Sequence, residues 1–128
     1  MTAVVHPHSA MLRTIYADLT QLERFATDDI VLHPADRDRQ PRQVRGKHAV
    51  AAHEHALLDR TDNTLVMDVT DIVADDYFGA VLGTLRASRP RTIAVPFCGL
   101  WRFVGGRIAE HWENAHDLAA LAHLREPK

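Results

Sequence analysis

The order of the predicted elements constrains the fold of this chain more than any single motif does. The first half carries apolar residues at helical spacing in three segments: from residue 9 to about 16, after Asp18, and from residue 47 to about 60. The second half is rich in β-branched and apolar residues, which predicts strands over 64–74, 77–87, 92–103 and 107–114. Three helices followed by long neighbouring strands indicate an α+β fold with an antiparallel sheet.

Caps and breaks define the smaller elements. Ser9 is predicted to cap the first helix and Asp18 the second, whose apolar stripe is Leu19, Leu22 and Phe25. Residues 30–33 form a short strand that Pro34 stops, and the polar residues 35–45 form a loop. A last helix, capped by residue 117, is predicted to run to residue 124. The chain shows no internal repeat or linker, so we expect a single domain over residues 1–128.

Charge and cysteine content narrow the class of protein. The formal net charge is −2, which argues against a nucleic-acid binder, since such proteins carry a basic excess. The basic residues in 37–45 are interrupted by Asp38 and Pro41, which is typical of a solvated loop. The single cysteine, Cys98, cannot form an internal disulfide. The N-terminal residues do not resemble a secretory leader and no apolar run approaches the length of a membrane span, so we expect a cytoplasmic protein without membrane contact.

The segment from Trp101 to Glu113 reads W-R-F-V-G-G-R-I-A-E-H-W-E. It resembles the final hairpin of the SnoaL-like proteins, in which an aromatic, an Arg and a Gly-ended turn precede I-x-E-H-W and an acid. Asp18, the F-A-T-D-D run from Phe25, the His33–Pro34 pair and Gly46 also match that family's pattern. The resemblance implies a cone-shaped, curved antiparallel sheet wrapped around three N-terminal helices, the fold shared with nuclear transport factor 2.

The Gly105–Gly106 turn leaves two registers for this hairpin. A two-residue loop places Gly99 opposite Trp112, whereas a three-residue loop, with Gly106 in the left-handed region, places Gly99 opposite His111. We choose the three-residue loop. It predicts one face formed by Phe97, Trp101, Phe103, Ala109, His111 and Glu113. The other face then carries Cys98, Leu100, Arg102, Ile108, Glu110 and Trp112.

The first of these faces has the composition of a small-molecule pocket, because it is aromatic with one imidazole and one carboxylate. The resemblance implies that the acid after the tryptophan, Glu113, is the acid/base residue. The family's second polar residue lies fourteen positions earlier, where this chain has Gly99, so the space above Gly99 is predicted to admit ligand. The predicted ligand-binding residues are Tyr16, His53, Phe97, Gly99 and Trp101.

Two histidines are further catalytic candidates. His33 precedes Pro34, the position that holds the catalytic base in the related ketosteroid isomerases, and imidazole can act as a base near neutrality. We therefore predict that His33 and Glu113 project into one cavity. His111 lies two residues before Glu113 and could orient that carboxylate or support an oxyanion. Tyr16 does not match the oxyanion-hole tyrosine of the isomerases, which would fall near Ala10.

No metal or cofactor is predicted. His53-Glu54-His55 is not an H-E-x-x-H motif, and adjacent helical positions point apart. His111, Glu113 and His116 could converge only if the end of the last strand bends.

Three functions remain open. The first is proton-transfer chemistry on a hydrophobic carbonyl compound, by isomerisation or aldol-type cyclisation. The second is non-catalytic binding of a hydrophobic small molecule. The third, epoxide hydrolysis, ranks lower because it calls for two acids and an Arg around a water, and only Glu113 is predicted inside. A homodimer is expected through the outer sheet face, which offers Leu100, Ile108 and Trp112.

Overall fold

The computed structural model describes residues 5–122 and 124, and it confirms the α+β fold. The helices are α1 (Pro7–Ala17), α2 (Leu22–Phe25), α3 (Lys47–Arg60) and α4 (Leu118–Ala122), with a 3₁₀ turn at Leu19–Gln21 before α2. The strands are β1 (Ala26–His33), β2 (Val44–Arg45), β3 (Val66–Ala74), β4 (Phe78–Ala87), β5 (Ile93–Val104) and β6 (Arg107–Trp112). The prediction that the last helix reaches Leu124 includes His123, which lies outside the described residues.

The helix starts follow capping chemistry, with one correction. Helix α1 begins at Pro7, and the Nδ1 atom of His6 accepts the hydrogen bond of the His8 amide, so His6 and not Ser9 is the cap. Asp18 is a cap as predicted, since its Oδ1 accepts from the Thr20 amide at 3.1 Å. It caps the 3₁₀ turn, however, and the α-helix proper starts at Leu22.

The strands form one curved, unclosed sheet in the order β2-β1-β6-β5-β4-β3. Neighbouring strands are antiparallel except β1 and β6, which run parallel. Strand β1 starts at Ala26, four residues earlier than predicted, and β2 lies inside the segment predicted to be loop. Both differences arise from pairing between distant segments, because Ala26 pairs with Ile108 and Val44 pairs with Leu32.

The predicted register of the last hairpin is wrong along its length, because His111 lies opposite Trp101 and not opposite Gly99. Val104 pairs with Arg107, so the loop has two residues, and both Gly105 and Gly106 adopt positive φ. This is the geometry of a type I′ turn, which glycine tolerates. A β-bulge at Ala109 then shifts the register by one residue, so that Trp101 faces His111. The bulge restores the predicted face for Phe97, Trp101, His111 and Glu113.

The main core lies between the helices and the inner face of the sheet. Its fully buried members include Leu12, Ile15, Ile30, Leu32, Val81 and Ile108. Ile108 therefore belongs to the core, not to the outer face to which the three-residue loop assigned it. A second cluster joins α3 and α4 to the sheet through Leu57, Leu85, Leu121 and Leu124. No helix in the described part of the chain has the length and apolarity that crossing a membrane demands.

Candidate functional site

A cavity of about 270 Å³ lies between the inner face of the sheet and helices α1 and α3. Most of its wall is apolar, and most of its polar side chains come from α3 and from the end of β6, with Arg39 from the segment between β1 and β2. The apolar lining includes Ile15, Tyr16, Leu19, Leu22, Leu57, Met67, Leu85, Val95, Phe97 and Trp101, and the polar lining includes Arg39, His53, Glu54, Arg60, His111, Glu113 and Asn114. Every sequence-predicted site residue except His33 lines this cavity.

Glu113 is held at the cavity by hydrogen bonds of its own backbone and of its neighbours. Its amide donates to the His33 carbonyl at 2.9 Å, and the Asn114 side chain donates to the Cys98 carbonyl at 3.0 Å. The Arg37 guanidinium donates to the carbonyls of Glu113, at 2.7 Å, and Pro34, and to the Asn114 side chain. These bonds fix the chain after β6, so the Glu113 side chain keeps a defined direction.

Three ionisable side chains meet at this end of the cavity. His53 Nε2 lies 3.4 Å from Glu113 Oε1, and the two side chains are 22% and 20% exposed. Glu54, the residue next to His53, is buried with 6% exposure. One ligand-type atom from each of His53, Glu54 and Glu113 lies within 4.8 Å of the others. Among the described residues, these three side chains lie close enough together to hold a metal ion. The group differs from the two sets named in the sequence, His53-Glu54-His55 and His111 with Glu113 and His116.

An aromatic wall faces that cluster. Trp101 donates its indole N–H to the Tyr16 hydroxyl oxygen at 3.2 Å, and the Tyr16 ring stacks on Phe97 with centroids 5.5 Å apart. Burial raises the pKa of Tyr16 far above its ordinary value, so the phenol stays neutral and keeps its proton. The expectation that ligand occupies the space above Gly99 is wrong, because the Tyr16 hydroxyl already sits where a side chain at Gly99 would begin.

His111 is buried against Trp101, with ring centroids 3.5 Å apart. Its Nδ1 lies 2.9 Å from the Leu100 carbonyl oxygen, which can only accept, so Nδ1 carries the proton. Burial lowers the pKa of His111 to about 4, and the ring is therefore neutral at physiological pH. Neutral His111 offers only a lone pair at Nε2. This geometry does not suit the predicted support of an oxyanion, which needs a donor.

The prediction that His33 shares a cavity with Glu113 is wrong. In β1, Leu32 points into the core, so the next side chain, His33, points to the outer face. There His33 stacks on Trp112 and lies 2.5 Å from a Glu110 oxygen, and Glu110 is also paired with Arg102 at 3.0 Å. Burial favours the neutral Glu110 carboxyl, but the hydrogen bonds from His33 and Arg102 outweigh it and lower the Glu110 pKa.

Two residues of the site escaped the sequence analysis. Glu54 is four residues after Val50 and three before Leu57, so it lies on the apolar stripe of α3, and that spacing was the signal available. Arg37 lies in a segment whose composition indicated a solvated loop. Its contacts with the chain around Glu113 depend on folding, and no local pattern marks them.

Solved structures with similar folds were found across the length of the chain. Bal32a, from a soil-derived mobile gene cassette, is 21% identical with a TM-score of 0.79, over 91% of this chain and 95% of that one. A candidate SnoaL-like polyketide cyclase from Jannaschia sp. CCS1 is 13% identical with a TM-score of 0.75, over 99% and 100%. IdmH, a candidate polyketide cyclase from Streptomyces antibioticus, is 20% identical with a TM-score of 0.70, over 94% and 100%. At these identities the likeness shows the fold alone.

Sequence comparison identifies the family. No curated protein matches the sequence significantly. The sequence model of the SnoaL-like domain matches residues 14–111, which include most of the cavity wall and the E-H-W segment up to His111. Because that match covers well over half of the chain, the protein belongs to the SnoaL-like domain family.

Proposed function

We propose that the protein is an enzyme that transfers protons on a hydrophobic carbonyl compound, by isomerisation or aldol-type cyclisation, with Glu113 as the acid/base residue. The observation that carries this proposal is the Glu113 carboxyl at the edge of a mostly apolar cavity that also holds a neutral phenol. The SnoaL-like family and the neighbours described as candidate polyketide cyclases support the same class of chemistry.

The reaction begins at a carbon next to a carbonyl group. Glu113 takes a proton from that carbon, and the electron pair of the broken C–H bond moves to the carbonyl oxygen to give an enolate. Tyr16 is the group suited to support that oxygen, because it is neutral and buried, and because the bond from Trp101 occupies a lone pair of the phenol and not its proton. In this assignment Tyr16, and not His111, is the oxyanion donor.

Substitution of Glu113 by Gln tests the proposal, because it keeps the size of the side chain and removes the titratable group. A thermal-shift screen of aryl ketones first supplies a ligand. Deuterium incorporation next to the carbonyl in D₂O then measures proton removal. We expect Glu113→Gln to slow incorporation by about 10²–10⁴-fold while ligand affinity changes little. We also expect an unchanged or higher melting temperature, since a partly buried carboxyl is removed.

Glu23→Gln is the matched control, because Glu23 is a half-exposed glutamate of α2 outside the cavity lining. A ligand that binds wild type but never exchanges its protons would favour the alternative, a non-catalytic binding protein. A large fall in melting temperature for Glu113→Gln would assign Glu113 to a structural ion pair with His53.

A further inference from the structure

Helix α3 brings a second carboxyl to the cavity. Glu54 is 6% exposed, lines the cavity, and has a carboxylate oxygen within 4.8 Å of the nearest such atoms of His53 and Glu113. We propose that Glu54 is a second acid–base residue, which holds its proton at neutral pH beside an ionised Glu113 and donates it to the substrate. The catalytic half of this inference rests on the proposed function, whereas the position of the proton does not.

The surroundings of the two carboxyls differ in a way that separates their roles. Glu54 is buried whereas Glu113 is half-buried, and burial penalises the charged form. Glu113 also has the His53 imidazole at 3.4 Å, which stabilises its anion when protonated. Two carboxylates so close in a partly buried site repel each other, so one of them keeps a proton. Burial assigns that proton to Glu54.

Other titratable groups around the pair leave this assignment in place. They come from α1, the 34–45 loop, α3, β5 and β6, and they are Tyr16, Arg37, Arg39, His53, Arg60, Cys98 and His111. Tyr16 and His111 are neutral at physiological pH. The guanidinium of Arg37 bonds to the backbone near Glu113, and that of Arg60 bonds to the Leu124 carbonyl, so both make hydrogen bonds outside the carboxyl pair.

An acid beside a base selects a substrate with two carbonyl groups. Glu113 removes a proton from the donor carbon, and that carbon forms a C–C bond with the second carbonyl carbon. The second carbonyl oxygen becomes a hydroxyl by taking the Glu54 proton. The product is an isomer of the substrate, and the proton count of the pair is unchanged. Transfer of one proton from Glu113 to Glu54 resets the site. Simple isomerisation needs no such acid, so the pair favours intramolecular aldol closure of a dicarbonyl compound.

Carbon-13 NMR of glutamate labelled at the side-chain carboxyl tests the proton assignment without any substrate. At pH 7 we expect one protonated carboxyl, whose signal Glu54→Gln removes, and one cavity carboxylate, whose signal Glu113→Gln removes. Loss of the Glu113 charge should lower the titration midpoint of Glu54 by about one pH unit or more. Two cavity carboxylates at pH 7 would overturn the inference. If Glu54→Gln does not fold, the number of protonated carboxyls in wild type still decides.

A bound divalent cation, in place of a proton on Glu54, would also neutralise the carboxyl pair. A Zn²⁺ titration therefore belongs to the same experiment. Stoichiometric Zn²⁺ binding that both variants abolish, together with two ionised carboxyls, would overturn the proton assignment. No stoichiometric binding is the expected result.

Turnover of 1-phenylhexane-1,5-dione, which can close to a six-membered ring, separates the two roles. We expect Glu113→Gln to slow both deuterium exchange and ring closure, whereas Glu54→Gln slows closure by about 10²-fold and slows exchange much less. Equal effects of Glu54→Gln on both steps would overturn its role as the acid. If the wild-type protein neither exchanges protons of any ketone nor closes its ring, the proposed function fails. The NMR result still decides whether Glu54 holds a proton at pH 7.

Discussion

The imidazole of His111 has one hydrogen-bond donor in its neutral form, and the Leu100 carbonyl receives it. This contact, the stack on Trp101 and near-complete burial make the ring a fixed part of the wall. Gly99 and Tyr16 are fixed in the same way, because the phenol fills the space that a side chain at residue 99 would need. The residues that shape the cavity are therefore set by packing, and Glu54 and Glu113 supply its carboxyl groups.

The low pKa of His111 predicts acid sensitivity. Below its ordinary value of 6.5, the unfolded chain binds a proton at this residue, while the folded chain stays neutral down to about 4. The unfolded state then holds more protons, so the free energy of unfolding falls with falling pH across this window, by up to about 3 kcal/mol. Urea unfolding at pH 7 and pH 4.5 should show a smaller fall for His111→Asn than for wild type.

His55→Asn is the control for this measurement, because His55 is an exposed histidine of α3. It should keep the wild-type pH dependence. An identical fall for wild type and His111→Asn would mean that His111 is protonated in the folded protein.

At the scale of elements, the last hairpin shows where sequence prediction succeeds and where it stops. Alternation along β5 correctly placed Phe97 and Trp101 on the inner face, because a strand turns its side chains with a period of two residues. The bulge at Ala109 has no local signal, since it lets two successive residues, Ile108 and Ala109, both be buried by the folded core. The face of Glu113 was right because a wrong loop length and an unforeseen bulge cancelled.

Dependence on contacts made only in the folded chain also explains why the face of His33 was predicted wrongly and why β2 was not predicted. The His33–Pro34 pair correctly marked the end of β1, but the face of His33 depends on the core position of Leu32. Residues 44 and 45 carry too little pattern to predict β2, which exists because β1 offers it an edge. The helices and the four long strands were predictable because their signals are local: apolar residues at helical spacing in the first half, and β-branched and apolar composition in the second.

The turn between β5 and β6 gives a prediction at one position, Gly105. Gly105 has φ of 58°, with open space where a side chain would begin. Gly105→Val should lower the free energy of unfolding by about 1–2 kcal/mol, because the left-handed region is strained for a β-branched residue. Gly105→Asn should be close to neutral, because asparagine tolerates this conformation. Urea unfolding of the two variants measures the difference. Equal destabilisation by Asn and Val would show that the strain lies elsewhere.

At the scale of the whole molecule, the outer face of the sheet is more apolar than a solvated face. Val73, Phe78 and Leu100 are 67%, 56% and 41% exposed and line a groove together with Trp112. Leu82, on the same face of β4, is 49% exposed. The outer face therefore still offers an apolar surface for the predicted dimer, although Ile108 is buried in the core and does not contribute to it. An isologous contact between two copies of this face would bury these side chains near a two-fold axis.

We predict a homodimer in solution at micromolar concentration, measured by light scattering. Leu100→Lys should shift the mass toward that of a monomer, because a charge at the centre of the contact would be desolvated. Val104→Lys, at the exposed hairpin tip, is the control and should keep the dimer. A monomer mass for wild type would contradict the prediction.

The parallel pairing of β1 with β6 joins segments about eighty residues apart, and it has a consequence for the order of synthesis. As the chain leaves the ribosome, β3 can pair with β4 and then β4 with β5, each with a neighbour already made. Strand β1 emerges early, yet within the described residues its long partner is β6, the last strand along the chain. Strand β1 must therefore wait for this partner until β6 has been translated, whereas α1 packs on β3 and β4, which are made earlier.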